Sequence, residues 1–249
     1  MTNEKLISFD LRADFGFFKK PEHNDGILLS YNMLHKPALL GILGAIAGME
    51  GYQKKGELPA YYRKLRDMLV GIQPLDHENG HFRKTTVKYS NTVGYANEDG
   101  PLLVEETMVI QPAYRCYLLL DLSNPDHQML YDQLASGNAT FIPYMGKNEY
   151  QAWIDGNITV YRHQPVQPPE SYNITSLFIK SSAIQVPESI PYGSFCYFEE
   201  LPIGFNEELM QYKLSNFAFT TWSLNPDQPI PGLYQLTSEE TEQQIIQLF

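Results

Sequence analysis

Hydrophobic and polar positions alternate first in the stretch Leu6–Phe18, where Ile7, Phe9 and Leu11 interleave with Ser8, Asp10 and Arg12. A period of two is the pattern of a strand with one face buried. A polar loop rich in breakers, KKPEHNDG from Lys19 to Gly26, ends it, and ILLSYNML beyond reads as a short extended piece. At Pro37 the period changes. Leu39, Leu40, Leu43, Ile46 and Ala47 recur at helical spacing, and proline suits a first helical turn because its missing N–H would be unpaired there. Gly41, Gly44 and Gly48 lie in the same stretch. A glycine costs about 1 kcal/mol relative to alanine in a helix interior, so three of them predict close approach of a sheet, with Gly51 as the cap. A second, short amphipathic helix is expected over 58–70, LPAYYRKLRDMLV.

Residues 77–101 are polar, glycine-punctuated and extended, and predict a protruding hairpin or loop. Strand character returns over Leu102–Leu122, interrupted near Pro112. Ser123 or Asn124 can cap a helix at 125–136 that stops at Gly137. Thereafter come short strand-like runs: QAWIDGNITVYRHQ, YNITSLFIKSSAI, SFCYFEEL and KLSNFAFTTWSL. PVQPPE at 165–170 reads as a surface connector, and the acidic tail from Thr237 as a helix. The order strand, helix, polar excursion, strand, helix, strands predicts an α+β fold. Its core is RRM/ferredoxin-like over residues 1–150, and a β-rich extension covers 151–249.

Composition narrows the class. With 43% hydrophobic residues in 249, the chain can bury a core. Cys116 and Cys196 each sit in an apolar run and read as buried, reduced thiols of a cytoplasmic protein, with a disulfide between them as the alternative. The opening MTNEKLISFDLRADF has no basic-then-apolar leader. Pro37–Met49, the longest apolar stretch, falls short of the ~20 residues a membrane span needs, so no membrane partner is expected. The net charge of −11 is uneven. Residues 1–88 carry 13 Lys/Arg against 10 Asp/Glu, a net +3, and the remainder carries 5 against 19, a net −14. A basic front on an acidic body is the asymmetry of a protein that meets phosphate on one face; an acidic protein of uneven charge shows it too.

Three segments hold the basic residues that could carry such chemistry. Arg12, Lys19, Lys20, His23, Tyr31, His35 and Lys36 are interleaved with Phe15, Phe17 and Phe18, and end where the predicted helix begins. Cations neutralise phosphates, aromatic faces stack unpaired bases, and a helix N-terminus favours an anion. The excursion brings His81, Arg83, Lys84, Lys88 and Tyr89. PYMGKNEY brings Gly146 and Lys147, a glycine turn followed by a cation. Each is also readable as a solvated loop. No HExxH, GxSxG or CxxC occurs, so neither metal nor cofactor is expected. His35, Lys36 and a tyrosine could supply the base, cation and acid of a metal-independent ribonuclease; a phosphate contact is the preferred reading of that pair.

FDLRADFGFFKKP followed by LSYNMLHKPALLGILGAIAGMEGY resembles the N-terminal signature of the fifth CRISPR-associated (Cas) protein family, a backbone subunit of type I Cascade complexes. FIPYMGKNEY is similar to its glycine-turn motif, and FCYFEELPIGFNEELMQYKLSNFAFTT to the C-terminal block of the type I-B branch. The resemblance implies a core of the repeat-associated (RAMP) superfamily with a thumb hairpin at about 75–104, bearing Arg83, Lys84, Lys88 and Tyr89. It implies an antiviral role holding the CRISPR RNA 5′ handle, with Arg12, Lys19, Lys20, His35, Lys36 and Lys147 as contacts. Implied partners are the repeated backbone subunit, the large subunit that reads the PAM and, through the complex, target DNA. A type I-C branch cuts precursor RNA with adjacent Lys and His on a central strand. The comparable PAYRCYLLLDL has neither, so the resemblance implies no enzyme. A protein-docking module without RNA contact is the remaining alternative.

Overall fold

The alternation at residues 6–13 forms a strand, but both of its faces are covered. The computed structural model describes residues 3–22, 26–91, 102–168, 170–180, 192–225, 230–238 and 243–249. In chain order, β1 (Glu4–Ala13) is followed by four short strands, β2 (Phe15–Gly16), β3 (Phe18–Lys19), β4 (Ile27–Leu28) and β5 (Ser30–Tyr31). Then come α1 (Lys36–Ile46), α2 (Ala60–Leu65), β6 (Leu69–Leu75), β7 (Lys84–Asn91), β8 (Leu102–Ile110), β9 (Ala113–Asp121) and α3 (Pro125–Ala135). The chain continues with β10 (Ala152–Pro165), β11 (Phe178–Ile179), β12 (Cys196–Asn206), β13 (Gln211–Thr220), β14 (Leu233–Thr237) and β15 (Gln244–Gln247).

The main sheet runs β15-β14-β10-β1-β9-β6, antiparallel throughout. Within it, β10-β1-β9-β6 is the interleaved order of two split β-α-β units, the ferredoxin-like arrangement. The sheet therefore runs across residue 150, since β10 pairs with β1. One face of β1 packs Ile7, Phe9 and Leu11 into the core shared with α1. The other puts Leu6 against Tyr117, Tyr161, Leu236 and Ile246. That second layer exists because the sheet curls. Val70 and Phe249 exchange backbone hydrogen bonds of 3.2 and 3.0 Å, bringing the residues after β15 round to β6. Of the tail expected as a helix, 239–242 lie outside the described residues, and Gln244–Gln247 form instead a strand, β15, whose Ile246 is needed inside this curl.

Other expectations are corrected by packing. The helix expected over 58–70 stops at Leu65, and Leu69 and Val70 already belong to β6. Gly48, at φ +71°, rather than Gly51, terminates α1. The helix glycines admit Tyr61 of α2, not the sheet: a Cβ on Gly44 would lie 2.5 Å from the Tyr61 Cβ. Asn124 caps α3 through its side chain, as its position implied. The polar excursion is a β7–β8 hairpin whose register pairs Lys84 with Val109 and Asn91 with Leu102; its turn, 92–101, lies outside the described residues. β11, β13 and β12 form a separate sheet. Both cysteines are free thiols; Cys116 is buried as expected, whereas Cys196 is only half-buried. Among the described residues no helix is long and apolar enough to cross a membrane, and no group of three or more His, Cys, Asp or Glu could hold a metal ion.

Candidate nucleic-acid interface

β3 buries Phe18 and turns Lys19 outward. Just before it, the Phe17 N–H donates to Met145 O at 3.0 Å. The loop carrying Gly146 is thereby held against the β2–β3 segment. Gly146 adopts φ +88°, and a Cβ there would collide with the Phe17 carbonyl oxygen. The close approach that requires glycine is to the protein's own backbone.

From the other side the hairpin supplies Tyr89 and Glu106. Glu106 is buried, and its carboxylate accepts from Lys147 Nζ at 2.7 Å, Tyr150 OH at 3.3 Å and Tyr89 OH at 3.3 Å. Lys147 also pairs with Glu149 at 2.9 Å. Burial alone would lower the Lys147 pKa, but bonds to Glu106, Glu149 and Tyr89 outweigh it and hold the ammonium above its ordinary value. Its charge lies 5.0 Å from the Tyr89 ring centre and 5.8 Å from that of Phe17. Lys147 therefore works as a fixed cation that sets ring positions, its single charge fully matched by its two carboxylates.

Between these elements and α1 lies a cleft of about 820 Å³. Its rim is unusually aromatic: Tyr52, Phe141 and Tyr144 are 59%, 55% and 43% exposed, and Tyr89 is 41% exposed. Rings open to solvent beside Lys19 and Lys147 are what stacking of unpaired bases requires. The sequence reading missed Tyr52, Phe141, Tyr144 and Glu106. Phe141 stood inside the quoted FIPYMGKNEY, where an apolar residue outside any periodic run was the available signal.

His35 forms part of the back wall but is itself buried. Its Nδ1 accepts from the Ala38 N–H at 3.3 Å, capping α1. The rings of Phe18, Tyr31 and Tyr212 surround it at 5.8, 5.4 and 5.4 Å. Burial lowers its pKa to about 3, so the imidazole is neutral near pH 7. The Leu39 N–H is taken by His35 O and Pro37 has none. The α1 terminus therefore offers no free N–H at 37–39 to a phosphate.

Of the other expected contacts, Lys36 is buried, with Nζ donating to Phe249 O at 3.1 Å, and burial lowers its pKa to about 8. Tyr31 is in the core. Lys20 pairs with Glu199 at 3.2 Å and sits over the Tyr31 ring. Lys84 donates to Ser30 O, and Lys88 pairs with Glu105 across the hairpin. Arg12 is held by Asp76 at 2.5 Å and Asp155 at 2.8 Å, and lines, with Arg83, a different pocket. His23 lies outside the described residues. The cleft thus gathers Lys19, His35, Tyr89, Gly146 and Lys147.

No protein-family model matches the chain, and no curated protein matches it. Among solved structures, one similar chain comes from a CRISPR RNA-guided surveillance complex, at 10% identity and TM-score 0.49, covering 88% of this chain and 91% of that one. A CRISPR protein from Archaeoglobus fulgidus is similar at 12% identity and TM-score 0.48, covering 98% and 99%. A Cas protein is similar at 12% identity and TM-score 0.44, covering 90% and 96%. At such identities and scores they establish neither family nor function for this chain.

Proposed function

We propose that this protein is a non-catalytic, RNA-holding subunit of a type I CRISPR surveillance complex, gripping the 5′ handle of the CRISPR RNA in the aromatic cleft. One observation carries the reading: basic or glycine-turn segments far apart in the chain meet at one cleft. Lys19, Tyr89 and Lys147 face it together, beside rings left open to solvent among the described residues. The sequence resemblance supplies the biological setting: a RAMP-type core, the β7–β8 hairpin as thumb, and the repeated backbone and PAM-reading subunits as neighbours. Target DNA then meets the RNA, not this chain. The buried, neutral His35 and the inward Lys36 favour holding over cutting.

Fluorescence anisotropy with labelled single-stranded handle RNA tests this. Y89A with Y144A removes two stacking faces, Y89F serves as the control that loses only the Tyr89 hydroxyl's bonds to Glu106 and Lys147, and each stacked base is worth about 1–3 kcal/mol. Affinity should fall at least about tenfold, with the repeat RNA left uncut. K19E should weaken binding and flatten its salt dependence by about 0.7 or more in log–log slope. Unchanged affinity in both variants refutes the cleft; a discrete metal-independent cleavage product refutes the non-catalytic reading.

A further inference from the structure

A second pocket, of about 440 Å³, lies at the base of the hairpin, where β1, the 76–83 segment and the β8–β9 corner meet. Trp153 of β10 sits directly opposite Arg12 of β1 in the sheet register, so both side chains project from the same face. Trp153 is 45% exposed, a large ring left open beside a polar hollow. The Arg12 guanidinium is fixed by Asp76 and Asp155, while Arg83 has no ion pair among the described residues. Asp14 and Glu78 also line the hollow, and neither has an ion pair among the described residues.

The walls are built, not incidental. Two non-glycine residues that line the pocket hold left-handed backbone, Asp76 at φ 50° and Gln111 at φ 48°. Such conformations cost about 1–3 kcal/mol each for residues that do not favour them. The Gln111 N–H is tied to Asp14 O at 2.8 Å, and the His77 ring is gripped edge-on by Phe195 and Phe219. Three carboxylates, Asp14, Asp76 and Glu78, line the pocket against two guanidiniums. That balance repels a phosphate. A cationic side chain would satisfy the carboxylates but leave Arg83, which has no ion pair among the described residues, facing a like charge, whereas a neutral ring with donors and acceptors meets both signs.

We infer that this pocket takes a single unstacked nucleobase bearing an amino group, stacked on Trp153, its amino donors accepted by Asp14 and Glu78 and its ring acceptors met by Arg83. The inference builds on the RNA-holding role. It adds a site that reads base identity, separate from the cleft that tracks the strand. A carboxylate accepts from an exocyclic amine, whereas uracil presents a carbonyl at the equivalent place.

Trp153 and Trp222 are the two tryptophans, so a W222F protein reports on Trp153 alone. Its fluorescence is titrated with cytidine and with uridine, nucleosides that differ in one group and carry no phosphate. Cytidine should quench the signal and bind about tenfold tighter than uridine. D14N combined with E78Q should abolish that preference. Equal affinities, or no quenching by either nucleoside, overturn the inference. So does stronger quenching by N-acetyl-arginine amide, which would mark the pocket as a seat for a protein side chain. RNA affinity of W153A is measured in parallel. Retained oligonucleotide binding together with absent nucleoside quenching sinks only this pocket, whereas RNA that binds no form of the protein sinks the RNA-holding role itself.

Discussion

The neutral state of His35 is a consequence of its surroundings, and it makes the fold sensitive to acid. Three rings enclose the imidazole and its Nδ1 is spent as the α1 cap. The unfolded chain takes up a proton near pH 6.5, and the folded one near 3. A folded value below the unfolded one means that the stabilisation is complete above about pH 6.5 and is lost as pH falls toward 3. H35N keeps a capping acceptor but cannot titrate. Urea unfolding at pH 7 and pH 4.5 should therefore show a smaller loss in H35N than in wild type, by about 2–3 kcal/mol. An identical loss in both would mean that the ring is not buried as described. Nothing in the sequence around His35 and Lys36 announced this burial. A His-Lys pair before a helix reads as basic surface, and the Tyr212 ring of β13 and the oxygen of Phe249, each far along the chain, complete the enclosure that turns the pair inward.

Elements were legible where a local pattern and a local stop signal agreed. β1 alternates, α3 begins at Asn124 and ends before Gly137, and Pro112 marks the β8–β9 corner. They were illegible where tertiary pairing decides, as at β15 and at the start of β6. The glycines of α1 show both sides. That a close neighbour exists was visible; which one was not. The distances allow two opposite predictions. A methyl on Gly44 would meet Tyr61 at 2.5 Å, whereas one on Gly41 would make an ordinary 3.5 Å contact with its hydroxyl. G44A should destabilise by about 1–3 kcal/mol through overpacking. G41A should be neutral or stabilise by up to about 1 kcal/mol, since alanine is the better helix former. Denaturant midpoints with unchanged slopes check both, and a stable G44A would contradict the α1–α2 packing.

At the scale of the molecule, a curled antiparallel sheet brings the end of the described chain back to β6, and the β7–β8 hairpin pairs with the short strands β2 and β4 in a sheet of its own. The charge gradient along the sequence pointed to the first half of the chain, and the cleft lies largely there. It could not show that Lys147, from the acidic half, lines the same cleft as Lys19, nor that Glu106 and Glu149 pair with it. In the proposed role, aromatic rims rather than net positive charge would meet the nucleic acid. Their partners in three dimensions are set by the contact of the Phe17 backbone with the Met145–Gly146 turn, a contact with no one-dimensional signature. The most direct test of the cleft is ultraviolet cross-linking of single-stranded handle RNA to the intact protein, with the adducts mapped by mass spectrometry. Adducts on Tyr89, Phe141 and Tyr144 are the predicted result; adducts confined to other surfaces, or none at all, would contradict it.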